Sequence, residues 1–246
     1  MQKKLIGVAS AILAAGIACT AGLTACNKGG GNSAVIPDVG DSVQVADAAE
    51  WKTVCENTLK LKNFSAVQEI SQEGGGGHGI SHAYGWGNNE QYFDEKFDEG
   101  YAGSVYALIE DETVYVAQYY DLEKTWYCDS ESTDGIDNVM GTFDAMVEVF
   151  GWDDGDGFID RFGEFEFSNG KYTASLNIDT EYTDYPTLVE IKIHKDGYLK
   201  YISVYNQGLR DIGEYKSELA VYNVGTTSFD GVPAAAKQAV EDFKNK

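Results

Sequence analysis

Basic residues are scarce in this sequence, which limits the partners that it can bind through charge. Its 246 residues include 18 Lys and Arg against 40 Asp and Glu, for a formal net charge of -22. A surface of this sign repels phosphate backbones and disfavours docking on anionic lipid through a basic patch. We therefore predict no nucleic-acid partner, and we interpret the acidity as a means of keeping an exposed protein soluble.

The motifs of the common enzyme classes are also missing. The sequence contains no GxSxG, HExxH, phosphate-binding loop or dinucleotide fingerprint. No serine has an identifiable base, since His194 falls on the polar side of a predicted strand. Acid pairs such as Glu164 and Glu166 arise by chance among 40 acidic residues. We predict a protein that is not an enzyme and uses no cofactor, and a hydrolase with carboxylate chemistry is the weakest alternative.

One acidic turn has part of the pattern of a calcium-binding loop. In WDDGDGFIDRFGE, Asp154, Asp156 and Asp160 fit ligand positions three, five and nine. Trp152 occupies the first ligand position, however, and Gly163 the twelfth, where a bidentate Glu is required. We interpret the stretch as an acidic turn and predict no metal there.

Two histidines four residues apart form a second weak metal pattern. His78 and His82 would share one side of a helix, but the glycines around them disfavour a helix. A structural zinc site also needs four ligands, and no pair of cysteines lies nearby. We predict a loop with two solvated imidazoles and no metal.

The first 25 residues have the layout of a secretory signal peptide. Lys3 and Lys4 precede an uncharged stretch, residues 5–25, that is rich in Ala, Gly, Leu and Ile. The end of this stretch, Leu-Thr-Ala followed by Cys26, resembles the bacterial lipobox. The resemblance implies cleavage before Cys26 and transfer of a diacylglycerol to its thiol. Residues 26–45 would then carry the lipidated Cys and a flexible, glycine-containing linker.

Two other interpretations of the amino terminus stay open. The uncharged stretch is long enough to span a bilayer as an uncleaved anchor, although its Ala and Gly content makes insertion weak. Cys19 is an alternative lipidation site, but Gly16 fits poorly three positions before it. With lipid at Cys26, we expect the mature chain to be anchored in the cell membrane and to face the extracytoplasmic side.

Two further cysteines, Cys55 and Cys128, remain in the mature chain. Outside the cytoplasm they can form one disulfide. The sequence does not place their Cα atoms within bonding distance, so two separate buried thiols are the other alternative.

Residues 46–246 have the periodicity of a single α+β domain. A helix is predicted over 46–62, with Trp51 and Cys55 on its apolar face. Strands with tight turns follow, of which Asn169-Gly170 is the strongest signal. The predicted order is helix, about four strands, helix, about five strands and a short last helix. Because hairpins dominate, the sheet is expected to be antiparallel, with one covered face and one wet face.

The helix predicted over 136–150 is the candidate for a ligand cavity. A single curved sheet cannot cover its own concave side, so we expect this apolar helix to cover it. Flexible methionines there would adapt to a ligand. The candidate cavity-lining residues are Met140, Phe143, Met146 and Val147. The alternative is that they complete a dry core.

The order of these elements resembles that of the LolA/LppX-type half-barrel lipoproteins, although no diagnostic residue motif accompanies it. The resemblance implies a curved antiparallel sheet (half-barrel) with helices on its concave side, preceded by a signal peptide and flexible tether. It also implies an apolar, lipid-like ligand on the concave face. The alternative function is a non-catalytic interaction module that holds a wall or membrane protein partner.

Overall fold

A computed structural model describes residues 36–61, 63–73, 78–87, 89–97, 102–120, 123–132, 160–177, 184–209 and 213–246. The predicted signal peptide, Cys26 and the predicted helix 136–150 lie outside these residues. So do the cavity candidates Met140, Phe143, Met146 and Val147, and most of the acidic turn that follows them.

One antiparallel sheet contains all the described strands, in the order β6-β5-β4-β3-β2-β1-β11-β10-β9-β8-β7. The described strands form two runs of hairpins, β1 to β6 and β7 to β11, and the two runs join where β1 pairs with β11. This confirms the predicted α+β class with an antiparallel sheet. The strands are β1 Ser65–Gln72, β2 His78–Gly87, β3 Glu90–Phe97, β4 Ala102–Glu110, β5 Thr113–Tyr120, β6 Thr125–Ser132, β7 Glu166–Ser168, β8 Lys171–Leu176, β9 Thr187–Ile193, β10 Leu199–Leu209 and β11 Gly213–Tyr222.

Two hairpins turn on a pair of residues that both have a positive φ, as the most favoured two-residue hairpin turn requires. Asn169 and Gly170, with φ of 51° and 71°, connect β7 to β8. Asp111 and Glu112, with φ of 47° and 62°, connect β4 to β5. The Asn169-Gly170 turn lies where the sequence predicted it.

Residues 78–87 form strand β2, so the prediction of a loop around His78 and His82 is wrong. The strand pairs with β1 on one side and with β3 on the other. Its glycines weaken the intrinsic preference for a strand. Hydrogen bonds from both neighbouring strands nevertheless hold the backbone extended, and this tertiary effect is not visible in a local pattern.

Helix α1 spans Ala48–Leu59 and begins at a well-formed cap. The carboxylate of Asp47 accepts hydrogen bonds from the backbone N–H groups of Ala49 and Glu50, at 2.9 and 3.0 Å. Glu50 in turn accepts a hydrogen bond from the N–H of Ala46 at 2.5 Å. The two bonds to Asp47 satisfy donors that a helix start otherwise leaves unpaired.

The buried side of α1 packs on the half of the sheet formed by β8 to β11. The ring of Trp51 lies 5.0 Å from that of Phe165 and 5.3 Å from that of Tyr172, between ring centroids. We call the surrounding cluster the α1 core; it includes Val54, Cys55, Phe93, Leu176, Ile191, Ile202 and Leu219.

Helix α2, Ala234–Lys244, packs on the other half of the sheet. Its buried residues Ala236 and Val240 contact a cluster of strand residues that includes Tyr92, Tyr106 and Ala117. We call this cluster the α2 core. Neither described helix is both long enough and apolar enough to cross a membrane.

The two helices lie on opposite faces of the sheet, as the strand register shows. Directly paired residues point to the same face, and neighbours along a strand point to opposite faces. Tyr92, Tyr106 and Ala117 are register partners, and they define the second face, which α2 covers. Phe93 and the rest of the α1 core lie on the first face.

The folded part of the chain begins before residue 46, so the boundary predicted for the flexible linker is too late. The N–H of Ser42 donates to the carbonyl of Gly170 at 2.7 Å, and that of Val43 donates to the carbonyl of Ile193 at 3.1 Å. The ammonium of Lys200 donates to the carbonyls of Val39 and Asp41, both at 2.7 Å. Residues 39–45 are therefore tied to the sheet.

Cys55 and Cys128 are free thiols in this structure, so the disulfide considered above is not formed. Cys55 belongs to the α1 core, whereas Cys128 packs against the α2 core on the other face. Burial raises the pKa of Cys55 to about 12 and that of Cys128 to about 11. Of the two alternatives, the structure has the one with separate thiols.

Candidate functional site

An apolar patch lies on the first face, over strands β4 and β5. Ala107, Val114 and Val116 are buried, and Val105 and Ile109 pack against them. We call these five residues the β4–β5 patch. They are register neighbours: Ala107 pairs with Val116, and Ile109 pairs with Val114.

The patch exists because β4 and β5 are apolar on both faces. A strand with one wet face alternates apolar and polar residues, whereas VYALI and VYVA are almost continuously apolar. Tyr106, Leu108, Tyr115 and Ala117 belong to the second face, beside α2. The five patch residues alternate with them along the two strands and therefore lie on the first face.

In the described residues, no helix contributes a side chain to the β4–β5 patch. Helix α1 belongs to the α1 core and helix α2 to the second face. Phe93 belongs to the α1 core and is the register partner of Val105, so the α1 core and the patch are adjacent at this pair. The patch is therefore a second apolar area on the face that α1 covers only in part.

One polar side chain, Gln91, lies on the same face as the patch. It is the register partner of Ala107, and 7% of its surface is exposed. Among the described residues, its side-chain oxygen Oε1 is buried without a hydrogen-bond partner. A buried acceptor without a partner costs about 1–3 kcal/mol, so such groups are rare in folded proteins.

The charges around the patch are negative or absent. On the described strands β3 to β6, no position that shares the first face is Lys or Arg. The register partner of Val116 on β6 is Asp129, which is exposed. The patch thus combines apolar side chains and one unpaired acceptor, with acidic residues at its edge.

The side chains of the patch offer apolar contact and, through Gln91, one hydrogen-bond acceptor. Within the described ranges, no group of three or more His, Cys, Asp or Glu residues lies close enough to hold a metal ion. The patch residues carry no nucleophile and no titratable group. Sites for apolar molecules are lined by side chains of this kind, with a few polar groups that fix the orientation of the ligand.

None of the predicted site residues falls in this patch. Cys26 and the four candidate cavity residues lie outside the described residues, and the two free thiols lie elsewhere. Sequence reasoning missed Gln91, which reads as an ordinary polar position in the alternating strand EQYFDEKF. The loss of alternation in β4 and β5 is the signal that would have located the patch.

Comparison with known proteins gives little further information. No protein-family model matches the sequence, and no curated protein matches it. A solved structure, a LolA superfamily protein from Nitrosomonas europaea, is similar at 9% identity over 74% of this chain and 92% of that chain, with a TM-score of 0.25. A likeness at this TM-score supports no conclusion about the present chain.

Proposed function

We propose that the chain is an extracytoplasmic lipoprotein, anchored in the membrane through lipid on Cys26, that binds an apolar, lipid-like ligand. The observation that carries the binding role is the β4–β5 patch with Gln91 beside it. An apolar area with a single well-placed polar group is the usual composition of a small-molecule site. The anchor rests on the lipobox-like residues that end at Cys26.

The binding role is tested with a matched pair of substitutions on opposite faces. Val116→Thr and Val67→Thr each introduce one hydroxyl at a buried strand position. Val116 is 6% exposed and Val67 is 3% exposed. Val67 pairs with Ala220, a second-face position away from the patch. The proteins are residues 27–246, which contain every described element, and the ligand is the apolar fluorescent probe N-phenyl-1-naphthylamine.

We expect Val116→Thr to weaken probe binding and Val67→Thr to leave it unchanged. Native mass spectrometry of the wild type, followed by extraction, should also release an apolar molecule. No probe binding and no extracted molecule would overturn the binding role. Equal effects of the two substitutions would show that the probe binds elsewhere.

The anchor is tested by incorporation of labelled fatty acid into the full-length chain. Cys26→Ala should abolish the label and leave an unprocessed precursor, because the substitution removes the thiol that attacks the lipid donor. Cys19→Ala is the matched control and should retain the label. Label that persists after Cys26→Ala would refute the assignment.

An exposed aromatic pair favours a second candidate function, the holding of a protein partner. Tyr120 and Tyr127 are 48% and 52% exposed, and their ring centroids lie 5.2 Å apart. Tyr127 lies on β6, an edge strand of the sheet. Exposed tyrosines and open strand edges are both common in partner binding. A photo-crosslinking residue at Tyr127 should capture one defined polypeptide in cells, whereas the same residue at exposed Leu188 should not.

A further inference from the structure

We propose that the exposed pair Tyr120 and Tyr127 binds an arginine-containing basic segment of a partner polypeptide, which lies extended along strand β6. This inference rests on the second candidate function, the holding of a protein partner, and specifies the chemistry of that partner. Of the five large apolar side chains that are exposed in the described residues, these are the two whose rings contact each other. Adjacent exposed rings form an apolar patch, whereas single exposed side chains are ordinary.

The exposed side chains of β6 continue from this pair in a row. Residues two apart in a strand point to the same face, at a spacing of about 6.8 Å, so Tyr127, Asp129 and Glu131 share one face. All three are exposed. Tyr120 lies on the same face, because it pairs with Thr125. Among the described strands β6 ends the sheet, so a segment of another chain can run alongside this row.

The charges beside the tyrosine pair are negative. The hydroxyl of Tyr127 donates a hydrogen bond to the carboxylate of Glu123, just before β6, and this raises the pKa of Tyr127. The carboxylate of Asp129 accepts a hydrogen bond from the N–H of Ser130 at 2.8 Å. In the part of the chain that the structure describes, Glu123, Asp129 and Glu131 form no ion pair with Lys or Arg. A partner therefore meets carboxylates next to aromatic rings.

Arginine complements both features of this surface. Its planar guanidinium stacks on aromatic rings and donates two parallel hydrogen bonds to a carboxylate. The formal net charge of -22 also attracts a basic segment over a longer range, and it repels phosphate and anionic lipid. The rings of Tyr120 and Tyr127 meet at 88°, so they form a corner and not the single flat platform on which a neutral sugar would stack.

The spacing of the row predicts the pattern of the segment. An extended chain presents every second residue on one side, at the same interval as the β6 row. The test therefore uses two fluorescent peptides of identical composition: in one, four Arg alternate with three Thr, and in the other, the four Arg are consecutive. Anisotropy titrations with residues 27–246 at about 0.01 M salt should show tighter binding of the alternating peptide. At about 0.15 M salt its binding should weaken, because exposed charges are screened.

Matched substitutions test each part of the surface. Tyr127→Leu should weaken binding of the alternating peptide about two- to fivefold, the range of an exposed cation–π contact, while Tyr127→Phe keeps the ring and should retain most of the binding. Tyr185→Leu is the control, because Tyr185 is similarly exposed, at 46%, but lies in the other run of hairpins. Glu123→Gln should also weaken binding, whereas Glu56→Gln removes the same charge from exposed α1 and should not.

The outcomes separate this inference from the function on which it rests. Equal binding of the two peptides, no binding of either, or equal effects of the test and control substitutions overturns the inference. Binding of a neutral hexasaccharide that is insensitive to salt and lost in Tyr127→Leu would instead assign the pair to a glycan. A crosslink from Tyr127 to a polypeptide segment without Arg overturns the inference and leaves partner binding intact. The absence of any crosslink refutes the candidate function itself.

Discussion

Two buried glutamines on the same face of the sheet differ in their hydrogen bonding. The amide of Gln68 donates to the Ser217 hydroxyl at 2.9 Å, whereas the oxygen of Gln91 has no partner among the described residues. A paired buried group stabilises the fold modestly, while an unpaired one costs its full desolvation penalty. The same substitution should therefore have opposite effects at the two positions.

We predict that Gln91→Leu leaves the free energy of unfolding unchanged or raises it by about 1–2 kcal/mol, because it removes an unpaired acceptor. Gln68→Leu should lower it by about 1–3 kcal/mol, because it removes a hydrogen bond between two buried side chains. Urea unfolding of the ligand-free protein measures both. A loss at Gln91 as large as that at Gln68 would contradict the assignment of an unpaired oxygen.

The two thiols should react without reduction, but at very different rates. Cys55 is fully buried and Cys128 is partly exposed, and burial raises the pKa of both, to about 12 and about 11. Since the thiolate is the reactive form, both react slowly at pH 7, and the reaction of Cys55 further requires that α1 open.

We expect residues 27–246 to show one slowly reacting thiol with a disulfide-exchange reagent in native buffer and two in denaturant. Cys128→Ser should remove the native reaction and leave one thiol in denaturant. No reaction in denaturant without a reductant would mean that the two cysteines are bonded, in contradiction of the structure.

At the scale of a single element, α1 is held to the sheet by Thr58, whose hydroxyl both donates and accepts a hydrogen bond. The hydroxyl of Thr58 donates to the carbonyl of Val54 and accepts from the N–H of Leu199, both at 2.8 Å. The pairing of β9 with β10 is irregular between Leu199 and Tyr201. The helix thus supplies an acceptor where the strand register shifts.

Thr58→Val should destabilise the protein by about 1–3 kcal/mol, because it leaves the buried N–H of Leu199 without an acceptor. Thr53 is the control: its hydroxyl also bonds to the carbonyl four residues earlier, that of Ala49, but it is exposed. Thr53→Val should change the free energy of unfolding by less than about 0.5 kcal/mol. Equal losses would attribute the effect to helix propensity and not to the contact with β10.

Local patterns predicted those elements whose residues determine their own conformation. The Asn169-Gly170 turn and the apolar side of α1 belong to this group, because turn geometry and helix periodicity operate over a few residues. Strand β2 was missed, since its glycine-rich backbone is held by two neighbouring strands. The β4–β5 patch was also missed, because Gln91 becomes distinctive only when Ala107 and Val116 are placed beside it.

The whole molecule carries a formal net charge of -22, which favours an expanded chain through self-repulsion. Ion pairs such as Lys244 with Glu110, at 2.5 Å, oppose this only locally. Exposed pairs of this kind are worth little individually. Added salt screens both the repulsion between like charges and the attraction within the ion pairs. We therefore expect the weaker repulsion to stabilise the folded state more than the weaker ion pairs destabilise it.

We predict that the Tm of residues 27–246 rises when the salt concentration is raised from about 0.01 M to about 0.15 M, as the Debye length falls from ~30 Å to ~8 Å. A gain of about 1 kcal/mol corresponds to about 2–4 °C in a chain of this size. A Tm that falls with salt would show that the ion pairs dominate. Scanning calorimetry at fixed pH measures the change, and replacing NaCl by KCl controls for specific ion effects.

The pairing of β1 with β11 has a consequence for the order of folding. Every other pair of described strands joins neighbours in the sequence, whereas the partners in this one are more than 140 residues apart. Closing so long a loop is entropically costly, and distant contacts slow folding. We expect the two runs of hairpins to form first and to dock last. Until they dock, the strands that lie at the centre of the finished sheet are open edges, and these are the places where newly made chains would aggregate.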